Sequence, residues 1–237
     1  MRKPQACAFF LRDDNQLMQI LPLSRRAAFP LLLPLLALAP LRSQIPKPPT
    51  HTGVGFHIPA ASPWLFAGFK GDSKEGVYYA LSLDGYHWTL ANAGHPVVPP
   101  TTPGELMRDP FIQRAPDGSV RMVWTWAWYD AQNIGYSESK DLITWTPHRE
   151  LPVMAALPGA HNVWAPALYY EPEQKQWLIF WASTIPGKFS GDSSGDNGLN
   201  HRIFSTTTKD FRTFTPAKVF FDPGYSVIDA TELPPAA

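Results

Sequence analysis

Three short segments hold residue types that could do chemistry, and their placement is regular. They are Arg108-Asp109-Pro110-Phe111-Ile112, Trp164-Ala165-Pro166-Ala167-Leu168 and Val227-Ile228-Asp229-Ala230-Thr231. The pivots Asp109, Ala165 and Asp229 stand 56 and 64 positions apart. If each segment opens the same kind of structural unit, the pivots share one hollow and Asp109 and Asp229 become neighbours. Two carboxylates held close together perturb each other's proton affinity, which suits them to general acid–base work. Arg108 can pair with a carboxylate there or with Glu105. Trp164 can stack on a ligand's apolar face or fill a core. His161 can reach the same hollow, help hold a water or cation, or sit in a solvated loop. His57, just ahead of the first apolar strand, can line the mouth.

The units that must position these residues are visible as a repeat. Asp84-Gly85-Tyr86-His87-Trp88-Thr89 is echoed by Asp141-Leu142-Ile143-Thr144-Trp145-Thr146 and by Asp210-Phe211-Arg212-Thr213-Phe214-Thr215. The spacings are 57 and 69, the longer one stretched by a polar insertion between Gly187 and Asn200. Apolar aromatic strands are expected at Trp64–Phe69, Arg121–Trp128 and Trp177–Ser183, each followed by a partner at Gly76–Ser82, Asn133–Ser139 or His201–Thr206. Further strands are expected at Pro110–Arg114 and Pro166–Tyr170, and the opening of another unit at Tyr225–Leu233. Four antiparallel strands per unit, in tandem, describe the blades of an all-β propeller. The recurring Asp caps a turn through backbone N–H groups. The aromatic four residues on is expected to pack between blades. In a propeller the first strand of each blade lines the axis, which places Asp109 and Asp229 in one funnel. Three blades and the start of a fourth fall short of the four to eight that close a propeller. The expectation is an incomplete propeller over residues 54–237, lengthened or completed by a partner in the natural molecule.

The bulk composition agrees. Among 237 residues, 20 Lys and Arg balance 20 Asp and Glu, which gives no electrostatic case for a nucleic acid or anionic membrane partner. Aromatics at 13%, with 9 Trp and 26 Pro, favour many short strands and suit stacking on sugar faces. One cysteine, Cys7, excludes an intrachain disulfide and a thiolate zinc site. Arg25 and Arg26 followed by the apolar run Ala27–Ala39 read as a secretory signal within residues 1–44. Ser24-Arg25-Arg26 hints at a twin-arginine form, and Met18 is an alternative start. The run is short for a bilayer span, so no stable membrane insertion is expected once it is removed. Residues 45–53 read as an extended proline linker. A secreted or periplasmic location follows.

Arg108-Asp109-Pro110-Phe111-Ile112, Val163-Trp164-Ala165-Pro166 and Ile228-Asp229-Ala230 resemble the first three blade starts of glycoside hydrolase family 43, over roughly residues 54–233. The resemblance implies a five-bladed propeller that hydrolyses arabinose- or xylose-containing polysaccharides or oligosaccharides with inversion. It implies that Asp109 is the general base and that Asp229 orients the catalytic acid and tunes its proton affinity. It implies no required cofactor, with a calcium ion on the axis left open. An inverting glycosidase needs one carboxylate to deprotonate water and a second carboxyl, kept protonated, to serve the leaving oxygen. A third negative charge raises the affinity of that acid for its proton.

The chain departs from the family in one respect. The family's acid is a Glu in a Glu-Gly pair one blade beyond the Asp229 position. Here Glu75-Gly76 lies in the first blade, and Glu232 is three residues past Asp229 on the same expected strand. The expectation is therefore a fragment without its general acid, inactive alone. A non-catalytic sugar-binding propeller is one alternative. A fructan-processing propeller of the invertase type is another, although it needs an Asn-Asp-Pro motif near residues 51–66 that the sequence lacks. Asp192 and Asp196 resemble a calcium loop only faintly, without the glutamate of an EF-hand.

Overall fold

Runs of β-branched and aromatic residues become eleven strands among the described residues, 64–189 and 198–231 of the computed structural model. The expected signal region and linker, Cys7, His57, Asp192, Asp196 and Glu232 lie outside the described residues. One antiparallel sheet holds β1 (Trp64–Gly68), β2 (Tyr78–Ser82) and β3 (Thr89–Leu90). A second holds β4 (Arg108–Arg114), β5 (Val120–Thr125), β6 (Ile134–Ser139) and β7 (Arg149–Leu151). The third holds β8 (Trp164–Glu171), β9 (Gln176–Ser183), β10 (Arg202–Thr208) and β11 (Lys218–Phe221). Strands follow sequence order within each sheet, and β4 lies against both β8 and β1. These are successive blades of a partial propeller. By the repeat, β1 corresponds to β5 and β9.

Two apolar cores fill the spaces between neighbouring sheets. Leu65, Tyr79, Ile112, Met122 and Trp124 belong to the first, while Phe111, Val123, Tyr136, Ile179 and Phe204 belong to the second. Adjacent residues of β5, Met122 and Val123, divide between the two cores, as do Phe111 and Ile112 of β4. The two-residue period of a strand requires this division when a sheet is buried on both faces.

The three Asp turns have one construction. Ser82, Ser139 and Thr208, two residues before each Asp, bring a hydroxyl to the carboxylate. Oδ1 of Asp84, Asp141 and Asp210 accepts the backbone N–H groups two and three residues on, at 2.7–2.9 Å. Those donors hold Asp141 and Asp210 down at about 2, and Asp84 also well below the usual carboxylate range. The residue after each Asp takes positive φ: Gly85 (76°), Leu142 (65°) and Phe211 (53°). That conformation carries Leu142 and Phe211 onto the preceding blade. The Leu142 carbonyl accepts the Tyr79 hydroxyl at 3.1 Å, and Phe211 stacks on Tyr136 at 4.3 Å. The residue directly after Asp therefore makes interblade contact of its own. The ring four positions on also packs between blades: Trp145 and Phe214 lie against the two interblade cores, and Trp88 and Trp145 each donate Nε1–H to the carbonyl of that intervening residue at 3.1 Å.

Two expected strands differ in extent. β5 ends at Thr125, paired with Ile134, so Trp126–Trp128 belong to the connection to β6. Residues 225–231 form no strand. A strand is made by ladder bonds to a neighbour, and here the Val227 N–H instead donates to the His201 carbonyl at 3.3 Å.

Trp124 faces Gly135 across the β5–β6 ladder, and a Cβ on Gly135 would come within 2.0 Å of the indole. The fully buried ring has no room to withdraw. Gly135→Ala should therefore lower stability by about 1–3 kcal/mol, read as a lower urea midpoint at unchanged slope.

Candidate functional site

Each inner strand begins with the same irregularity. β4 pairs with β5 through Arg108↔Thr125 and then Phe111↔Val123, so Asp109 and Pro110 bulge opposite Trp124. β8 pairs with β9 through Trp164↔Ala182 and then Ala167↔Phe180, so Ala165 and Pro166 bulge opposite Trp181. A bulge re-aims a side chain and tolerates a proline, which cannot donate to the ladder. The three pivots also share a left-handed backbone: φ is 49° at Asp109, 45° at Ala165 and 56° at Asp229. Non-glycine residues seldom adopt that region, so its recurrence at the three spaced positions marks them as structural equivalents.

The bulge turns Asp109 inward at one end of the blades. Its side chain is 13% exposed. Oδ2 accepts the Thr125 hydroxyl at 3.2 Å and lies 3.6 Å from Arg108 Nε. Burial pushes the carboxyl up to about 6; Arg108 pulls it down, the charge of Asp229 pushes it up, and the Thr125 hydrogen bond pulls it down. The two carboxylates singled out in the sequence are thus within electrostatic reach of one another, with Asp229 on the more exposed side.

Arg108 pairs with Asp109 rather than with Glu105. Glu105 is occupied by His148 at 2.7 Å and by the Thr101 backbone and hydroxyl. The Arg108 guanidinium lies between two rings, 4.5 Å from Phe69 and 4.6 Å from Trp128. Trp164 is 9% exposed, wedged against Tyr129 and His201, and its Nε1–H donates to the Trp128 carbonyl at 2.6 Å. Such a covered ring braces its neighbours and leaves little face for a ligand. The open faces belong to Trp128 and Tyr129, each 41% exposed. His161 stacks on Tyr129 at 4.8 Å and faces the exposed Asp130 at 3.5 Å. Among the described residues no group of three or more His, Cys, Asp or Glu side chains could hold a metal ion.

Glu75-Gly76 has a local explanation. Glu75 accepts the Tyr78 hydroxyl. Gly76 has φ 113°, and a Cβ there would meet the Val98 carbonyl at 2.3 Å. The glycine permits the close bridge between Val77 and Val98.

Sequence reasoning missed Thr125, Phe69, Trp128 and Tyr129. The signal for the last two was the run Trp124-Thr125-Trp126-Ala127-Trp128-Tyr129, in which rings continue past the point where strand pairing stops.

A buried, Arg-paired carboxylate beside a second carboxylate and an exposed aromatic wall can accept a proton next to a stacked, hydroxyl-rich ligand. Comparison with known proteins identifies the family. An α-L-arabinofuranosidase of Bifidobacterium longum subsp. longum is 25% identical over 185 residues, covering 68% of this chain and 17% of that protein. The endo-arabinase of Bacteroides thetaiotaomicron superimposes with a TM-score of 0.51 at 13% identity, over 70% of this chain and 61% of that one; at that identity the likeness is one of fold. The chain spans less than two thirds of either protein. The family described as a probable glycosyl hydrolase domain, of the family 43-related group, matches residues 60–234. The chain belongs to this family of glycosyl hydrolases.

Proposed function

We propose that this chain carries the base side of a glycosidase site that acts on arabinose-containing polysaccharide or oligosaccharide, with inversion. The observation that carries the reading is the meeting of Asp109 and Asp229, which share a left-handed backbone, with the Asp109 carboxyl held at about 6. Asp109 is the general base that takes a proton from the attacking water. Asp229 supplies the charge that tunes its partners and helps an acid keep its proton. Trp128 and Tyr129 form the sugar platform, braced by Trp164 and by the Arg108 guanidinium. The arabinofuranosidase relative supports the choice of sugar. Delivery outside the cytoplasm suits such a substrate, and the apolar run Ala27–Ala39 supports it.

The test is hydrolysis of a dinitrophenyl α-L-arabinofuranoside, whose phenolate leaves without protonation by an acid, with the anomer of the first-formed sugar read by proton NMR. Release of arabinose as the inverted anomer supports the reading. Binding without release would instead mark a sugar-binding propeller. Trp128→Ala should raise KM or Kd by about 5–10-fold while changing kcat little, because stacking contributes to ground and transition states alike.

A further inference from the structure

We propose that Thr125 is a positioning residue that couples the seating of the third sheet on the second to the orientation of the Asp109 carboxylate, through a directed chain of two hydrogen bonds. The first bond crosses between blades: the Ala165 N–H donates to Thr125 Oγ1 at 2.9 Å. The second returns to the site: the Thr125 hydroxyl meets Asp109 Oδ2 at 3.2 Å. A threonine hydroxyl has one hydrogen and two lone pairs. The amide of Ala165 can only donate, so it occupies a lone pair. Asp109 as a carboxylate can only accept, so the single hydroxyl hydrogen points at Oδ2. The direction of both bonds is therefore fixed by chemistry, and each strengthens the other because the donor oxygen is polarised by the amide behind it.

The geometry explains why Ala165 sits in the left-handed region without being glycine. At φ 45° its N–H is aimed at the neighbouring blade, where the fully buried Thr125 receives it. Arg108 Nε approaches the same carboxylate oxygen, Oδ2. Among the described residues both polar contacts on Asp109 thus fall on one oxygen, which assigns Oδ1 to the water that the base activates. That last step rests on Asp109 being the base. The positioning itself does not. The charged groups that act on Asp109 are Arg108, which favours its ionised form, and Asp229, which opposes it. Thr125 works with Arg108.

The experiment follows the Asp109 carboxyl carbon by 13C NMR titration in the wild-type chain and in Thr125→Ser, Thr125→Val and Thr125→Ala. Loss of the hydroxyl should raise the Asp109 midpoint by about one unit, since the lost hydrogen bond favoured the ionised carboxylate. Thr125→Ser should titrate like wild type. Thr125→Ala provides the same comparison if the valine variant does not fold. The proposal is overturned if a folded hydroxyl-free variant titrates like wild type, or if the serine variant shifts as far as the valine variant. Glycosidase assays on the same samples separate the two readings. A titration that responds in a chain that leaves the dinitrophenyl arabinofuranoside intact keeps Thr125 and removes the catalytic role. Hydrolysis with an unresponsive titration does the reverse.

Discussion

Asp109→Asn should abolish most hydrolysis and at the same time make the protein more stable at neutral pH. A positioned general base contributes about 100- to 10,000-fold to rate, and asparagine cannot take the proton. The fold is kept, because the amide oxygen can still accept the Thr125 hydroxyl. The stability gain follows from linkage. The folded Asp109 titrates at about 6, against 3.8 for an ordinary aspartate. Unfolded chains therefore release this proton first, and between those two values rising pH favours the unfolded state. Above about pH 6 the cost of the buried charge is fully present. Removing the charge should return ~3 kcal/mol at pH 7.5 and almost nothing at pH 3.5. Urea denaturation of the two proteins at pH 3.5 and pH 7.5 checks the sign. Equal stability at both pH values would mean that Asp109 is not a buried, strained carboxylate. A catalytic group held in an unfavourable ionised state is the usual form of the trade between stability and activity.

Asp229→Asn should lower kcat/KM by between about 10- and 100-fold and move the acid limb of the pH–rate profile to lower pH. The charge at 229 raises the Asp109 carboxyl. Without it Asp109 ionises more readily and becomes a weaker base. Any acid that relies on the same negative field to retain its proton also suffers. The two effects separate in the profile: the limb displacement reports Asp109, and the fall at the plateau reports the rest. If Asp229 served only the fold, activity would drop with lost stability and the limb would stay in place.

These carboxylates were legible in the sequence because the repeat supplied a ruler. The spacing of Asp109, Ala165 and Asp229 gives their equivalence, and the shared positive φ at 49°, 45° and 56° shows what the spacing encoded: one left-handed pivot, seated in a bulge at the starts of β4 and β8. The turn aspartates were legible for the same reason, as was their capping chemistry. Other parts depend on tertiary direction that residue types do not reveal. Leu142 and Phe211 share interblade contact with the expected rings Trp145 and Phe214, and their counterpart in the first repeat is Gly85. A position that changes from glycine to phenylalanine carries no visible pattern. Its role comes from a left-handed backbone that any of the three can be made to adopt. Thr125 was invisible because its two hydrogen bonds come from residues 16 positions before and 40 after it. Trp164 was open between platform and core filler, and its burial favours the second, while Trp128 and Tyr129 took the open faces because β6 begins too late to pair with them. The pairing of Arg108 was left open between two carboxylates, and the prior claim of His148 on Glu105 decided it.

The central claim is that two carboxylates far apart in the chain meet at one end of the blades. The most direct measurement is the Asp109 titration by carboxyl 13C NMR in the wild-type chain and in Asp229→Asn. The account expects a midpoint near 6 that falls when Asp229 is neutralised. A midpoint near 4, or one indifferent to the charge at 229, would contradict it.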